Sequence, residues 1–212
     1  MMFADQTAAA AALADDLAVL LNQALAERGR ASLVVPGGRG PVPVFQRLAA
    51  ADLDWTRIDV IPTDERWVSP DHPDSNEGMI RRLLPAARLR GLKTDAATPE
   101  DGLAEASARL ATLGRPFDAV FLGMGADGHV ASLFPGSVPL DDRRMLAAAP
   151  VSGIGHARLT LTLPALTDCR ALLLLICGAE KRARWAEALA GADLPVTRAV
   201  RAAPQVRVFL AP

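Results

Sequence analysis

Cysteine and lysine are nearly absent: the chain has two of each in 212 residues. Cys169 and Cys177 provide neither a disulfide framework nor the pair spacing of a zinc site. Both lie in or beside apolar sequence and read as buried free thiols. All but two of the 23 basic residues are arginine, and 24 acidic residues bring the net charge to −1. No excess of one sign exists to suggest a non-specific nucleic-acid or membrane binder, so neither partner is expected. The longest apolar run, Ala171 to Ala179, is too short to cross a bilayer and reads as a buried strand. The N-terminus lacks a basic start followed by an apolar stretch and cleavage site, so a cytoplasmic location is expected. The chain has no Gly-x-Ser-x-Gly elbow and no His-Glu-x-x-His. A covalent serine route and a zinc route are therefore both unsupported, and neither a metal nor a cofactor is expected.

Half of the residues are apolar, enough for a sizeable core, and the length suits a single domain over 1–212. Apolar runs alternate with helical patterns. Strands are expected at 32–35, 57–61, 117–122, 144–151, 159–162, 172–176 and 205–210. Helices are expected at 5–28, 42–51, 77–84, 99–113 (capped by Thr98), from Pro164, and at 179–190. Strands that are apolar throughout and separated by helices imply an α/β fold, a mostly parallel sheet covered on both faces. Ligands of such folds sit beyond the carboxyl ends of the strands.

Three strand-end loops are rich in glycine or polar residues and should converge on one rim. The first is Pro36-Gly-Gly-Arg-Gly-Pro41. Gly37 and Gly38 let the backbone approach an anion, the next helix offers free amides, and Arg39 adds a fork suited to phosphate. The second runs from Thr63 to Glu77. Asp64 lies nearest the strand end as a base or a grip on hydroxyls, and Arg66 is placed to meet an oxyanion; His72 reads as a turn residue. The third runs from Gly123 to Gly136. His129 is the best acid–base group in the chain, because an unperturbed imidazole titrates near neutrality. Asp127 is placed to fix its tautomer, and glycines such as Gly125 leave room for substrate. Arg158 and Lys181 supply two further cations. Lys181 opposes the dipole of the helix it begins, which hints at a shared anion. His156 reads as an exposed loop histidine. These residues together suggest acid–base chemistry on a small, polar, phosphorylated substrate.

Two long segments resemble the 6-phosphogluconolactonases. They are Asp64-Glu-Arg-Trp-Val-Ser-Pro-Asp-His-Pro-Asp-Ser-Asn-Glu77 and Phe117-Asp-Ala-Val-Phe-Leu-Gly-Met-Gly-Ala-Asp-Gly-His-Val-Ala-Ser-Leu-Phe-Pro-Gly136. Arg158-Leu-Thr-Leu-Thr-Leu-Pro-Ala-Leu166 and Gly178-Ala-Glu-Lys-Arg182 are similar to the same family's pattern. The resemblance implies a Rossmann-like sheet shared with sugar-phosphate deaminases and isomerases. It implies hydrolysis of 6-phospho-D-glucono-1,5-lactone without metal or cofactor, in a monomer or homodimer. His129 would be the acid–base group and Asp127 its support. Asp64 and Arg66 would bind sugar hydroxyls or the oxyanion. Arg39, Arg158, Lys181 and the amides near Gly38 would hold the phosphate. Deaminase relatives continue Asp-Gly-His with Ile-Ala-Phe-Asn-Glu, whereas Val130-Ala-Ser-Leu-Phe-Pro135 follows here. Pro36 and Gly40 replace hydroxyl residues usual in the family's first loop, which leaves phosphate binding there to backbone amides and Arg39. A deaminase or isomerase, and a non-catalytic sugar-phosphate binder, are the alternatives.

Overall fold

The protein is described as a computed structural model covering residues 1–149 and 155–212. Its strands are β1 (Ala31–Val35), β2 (Ile58–Pro62), β3 (Asp64–Arg66), β4 (Arg88–Leu89), β5 (Phe117–Gly123), β6 (Leu146–Ala149), β7 (Arg158–Leu161), β8 (Cys169–Cys177) and β9 (Val206–Ala211). Its helices are α1 (Gln6–Arg28), α2 (Val42–Ala49), α3 (Asn76–Leu83), α4 (Pro99–Ala111), α5 (Leu163–Thr167), α6 (Ala179–Leu189) and α7 (Pro195–Ala202). Helix ends follow local chemistry. The Asp5 carboxylate caps α1 by accepting from the Ala8 amide at 2.8 Å, and Gly29 closes the helix at φ 73°. Thr98 caps α4, as its sequence predicts.

A six-stranded sheet in the order β4-β2-β1-β5-β8-β9 is parallel throughout. Val34 and Ile61 face one core; Val35, Val60 and Phe121 face the other. Because successive side chains point to opposite faces, a strand buried on both sides is apolar at nearly every position. One face is covered by α1, α2 and α3. The other is covered by α4, the α5–α7 region and a second sheet, antiparallel, in the order β3-β7-β6. That second sheet is absent from the sequence-based expectation. Of the strand expected at 144–151, β6 covers Leu146–Ala149, and 150–151 lie outside the described residues.

By length and composition α1 would pass for a membrane span, more so than the run at 171–179. Yet Leu13, Leu17 and Leu21 have no exposed surface, which places α1 as a core helix. The two thiols also differ. Cys169 is buried, and burial pushes its pKa up to about 11. Cys177 is only half-buried and borders the main cleft, contrary to the buried position expected for it.

Candidate active site

The strand order reverses at β1, which has β2 on one side and β5 on the other. A crevice opens at such a switch point because the loops leaving adjacent strands diverge. Here a cleft of about 520 Å³ lies at the carboxyl ends of β1, β2, β5 and β8. That volume suits a small molecule. Gly37, Gly38, Arg39, Asp64, Arg66, Gly125, His129, Arg158 and Lys181 all line it. The three loops singled out in the sequence therefore do meet on one rim.

The His129 loop is wound tightly. The Gly125 amide donates to the His129 carbonyl at 2.9 Å, and the Gly128 amide donates to the Gly125 carbonyl at 3.1 Å. A Cβ on Gly125 would lie 2.1 Å from His129 Cε1, so only glycine leaves the ring its place. The ring's other neighbour is Phe134, at 4.6 Å between centroids. Asp127 does not line the cleft. It stands behind the ring, and its Oδ1 meets both the His129 amide (3.0 Å) and Nδ1 (2.6 Å). Burial opposes ionisation of Asp127, but the His129 amide and ring outweigh it and hold the carboxyl below its usual range. With Nδ1 engaged, Nε2 is the ring nitrogen left for substrate. Ala131 borders the cleft at φ 51°, a strained value for a residue with a Cβ.

In β3 the alternation of side chains separates two adjacent carboxylates. Asp64 turns to the cleft side. It accepts from the Thr63 hydroxyl at 2.9 Å and from Ser132 Oγ at 2.6 Å, with Arg158 Nη1 3.8 Å away. Glu65 turns the other way and is fully buried. It accepts from the amides of Arg66 (2.7 Å), Asn76 (2.9 Å) and Glu77 (2.6 Å) and from the Ser75 hydroxyl (3.1 Å). It thereby caps the start of α3, where free amides favour a carboxylate. Burial pushes its pKa up to about 7 against the pull of those amides.

Arg66 and Arg158 are directly opposed across the β3–β7 pair, a costly arrangement of like charge. Arg66 Nη1 donates to the Asp74 carbonyl at 2.7 Å, while its buried Nε has no partner among the described residues. Arg158 Nη1 donates to Ser132 Oγ at 3.3 Å. Two opposed guanidiniums that both border the cleft make a place for an anionic or carbonyl oxygen. Lys181 stands in the first turn of α6 and Arg39 on the exposed lip. Neither has a carboxylate within 4 Å among the described residues.

The helix after the first loop contributes less than its sequence promised. Pro41 is the N-cap of α2 and Pro43 occupies its first turn, so few free amides remain there. The amides of Gly38 to Gly40 carry any anion contact instead; Gly38 has φ 88°. Asn76 went unnoticed in the sequence. Its side chain packs where a Cβ on Gly37 would be (1.9 Å), and it donates to the Asp64 carbonyl at 2.7 Å. Ser132, which joins Asp64 to Arg158, was missed as well. Asn76 had a weak signal, since Ser75 before it is a typical cap residue; Ser132 had none.

His156 is half-buried rather than exposed, with Nε2 3.0 Å from Asp74 Oδ2 and its ring edge-on to His72 at 5.3 Å. The bond to His156 holds the Asp74 carboxyl below its usual range. His72, Asp74 and His156 present ligand atoms within 4.8 Å of one another. They are the residues placed to hold a cation, and they also pin the 69–75 loop against the approach to β7. His72 itself is a turn residue as expected, its Nδ1 accepting from the Asp74 amide at 3.1 Å.

Fold and cleft together define a Rossmann-like α/β protein in which an imidazole–carboxylate pair faces a ring of cations at the strand ends. Comparison with known proteins narrows this class. The family profile for glucosamine-6-phosphate isomerases/6-phosphogluconolactonase matches residues 4–208, and the chain belongs to that family. It is 38% identical to a 6-phosphogluconolactonase of Rhizobium meliloti, over 100% of this chain and 97% of that protein. It is 43% identical to one of Pseudomonas aeruginosa, over 90% and 86% of the two chains. The crystal structure of a 6-phosphogluconolactonase from Shewanella baltica superposes with a TM-score of 0.94 at 36% identity, covering 100% of this chain and 96% of that one.

Proposed function

We propose that this protein hydrolyses 6-phospho-D-glucono-1,5-lactone to 6-phosphogluconate. The observation that carries the mechanism is the 2.6 Å contact of Asp127 with His129 Nδ1. It fixes the ring so that Nε2 takes a proton from water as that water attacks the lactone carbonyl. Negative charge then develops on the carbonyl oxygen, which the Arg66 guanidinium bordering the cleft stabilises. As the C1–O5 bond breaks, the imidazolium returns its proton to the departing ring oxygen. The products are a carboxylic acid, which ionises at once, and a free hydroxyl. A δ-lactone is reactive enough that no covalent intermediate is needed.

Arg39, Lys181 and the amides of Gly38 to Gly40 hold the phosphate in this reading, and Asp64 receives sugar hydroxyls. Arg158 lies between the two groups, 3.8 Å from Asp64, and serves the phosphate. Anchoring the ring by a group remote from C1 aligns the carbonyl with Nε2. The protein works in the cytoplasm on this proposal. Freshly generated lactone, followed by proton release in a pH-stat, tests it. Release well above the spontaneous rate is expected, and a rate equal to the spontaneous one overturns the proposal. Ammonia release from glucosamine 6-phosphate would move the chain to the deaminase reading instead.

A further inference from the structure

The opposite end of the sheet carries a second concavity, of about 450 Å³, at the amino ends of the strands. Six arginines line it: Arg28, Arg30, Arg88, Arg90, Arg115 and Arg170. They come from separate stretches, the end of α1, the starts of β1, β5 and β8, and β4 with the residue that follows it, which the parallel sheet brings side by side. The carboxylates facing them are fewer. Asp59 holds Arg90 at 2.7 Å and Arg88 at 3.5 Å. Asp118 holds Arg28 at 2.8 Å and Arg170 at 3.4 Å. Asp168, just outside the lining, holds Arg115 at 2.8 Å, and Glu27 lies 2.5 Å from Arg28. Arg88 and Arg90 thus share Asp59 alone, and Arg170 shares Asp118 with Arg28, so six guanidiniums face four carboxylates. Arg30 is exposed and has no carboxylate within 4 Å among the described residues. Arg115 Nη1 is buried without a hydrogen-bond partner. A chain of net charge −1 has gathered a surplus of at least two positive charges in one hollow.

We infer that this hollow binds a small phosphate-bearing polyanion. The surplus matches a dianion, and guanidinium forks match phosphate oxygens in pairs. Concave walls concentrate the field, so affinity there exceeds that of scattered surface arginines. The strands between the two hollows are up to nine residues long. The two linings approach most closely on β5, where Asp118 borders the lower hollow and Phe121 the upper, roughly 10 Å along the strand at about 3.3 Å per residue, with the buried Ala119 and Val120 between them. The lower ligand therefore cannot touch a substrate in the upper cleft, and this is a second site rather than an extension of the first.

Pyrophosphate is the probe, titrated calorimetrically into the whole protein at low salt. Two sites per chain are expected. Arg30→Ala/Arg170→Ala should weaken the lower one at least about tenfold, the order lost with one charge-assisted bond. That variant should fold normally, because Asp118 keeps Arg28, and should turn over lactone at the wild-type rate. Arg39→Ala/Lys181→Ala should weaken only the upper site. The inference is overturned if the lower double variant gives the wild-type isotherm. It is equally overturned if the wild type binds one pyrophosphate and the upper double variant abolishes it. Failure of the lactone assay would leave this titration unaffected, so the two proposals fail separately.

Discussion

The acidic stretch of β3 and the glycine loop that carries His129 both look functional in sequence, but they are built on different logic. In β3 three consecutive charged residues divide their labour. Asp64 and Arg66 border the cleft, whereas Glu65 is buried beneath it and caps α3. In the loop, the residue with no side chain matters as much as the charged ones. Gly125 yields the volume that the imidazole occupies, and Asp127 works from outside the cleft. Density of charge therefore misidentifies part of a site, and absence of a side chain can be a part of it.

The contrast breaks most directly at His129. His129→Asn should lower kcat by at least about 100-fold, the lower range for a lost acid–base group, with the melting temperature nearly unchanged. Lactone turnover at the wild-type rate would remove the imidazole from the chemistry. Next in size is Gly125→Ala, which adds no charge and removes none. The new Cβ would lie 2.1 Å from His129 Cε1, so the ring must move off its seat. A loss on the order of 10²-fold in kcat is expected, since displacements near 1 Å cost that much. Unchanged kcat would mean that the ring tolerates displacement, and the glycine would then be incidental.

Glu65→Gln tests the other side of the comparison. The amide group cannot accept from all four donors that converge on Glu65, so about 1–3 kcal/mol of stability should be lost. kcat of the folded variant should fall far less than in either loop variant. The pH dependence has a defined sign. The folded-state pKa, about 7, is raised above the reference 4.5. The stability it contributes is therefore fully present below pH 4.5 and is lost as pH rises to about 7. Chemical denaturation of both proteins across that range should show the wild-type advantage shrinking. A difference that stays flat would show that Glu65 does not titrate there.

Much of this arrangement is legible in the chain. The parallel sheet follows from strands apolar on both faces, and the three strand-end loops follow from it. The second sheet does not, because β3 spans only Asp64–Arg66 and is wholly charged, too short and too polar to show a strand period. Helix α7 was not anticipated either; it begins at Pro195, mixes Thr, Val and Arg, and lacks a side-chain cap. Ser132 sits 68 residues from Asp64, and no local pattern could pair them. Contacts of that kind are set by the register of β3 against β7.

Ser132→Ala sharpens the comparison with the smallest expected effect. The Ser132 hydroxyl donates to Asp64 at 2.6 Å and accepts from Arg158 at 3.3 Å, joining the two residues that the proposed mechanism gives to the sugar hydroxyls and to the phosphate. Among the described residues it makes no hydrogen bond to His129 or Asp127. Removing it frees both partners without displacing the imidazole. KM should rise by up to roughly tenfold, the worth of one hydrogen bond to a charged group, while kcat stays within about threefold. The reverse split, a fall in kcat at constant KM, would place Asp64 with the reacting carbonyl. The acidic strand would then belong to the same functional unit as the glycine loop, and the division drawn between them would fail at that residue.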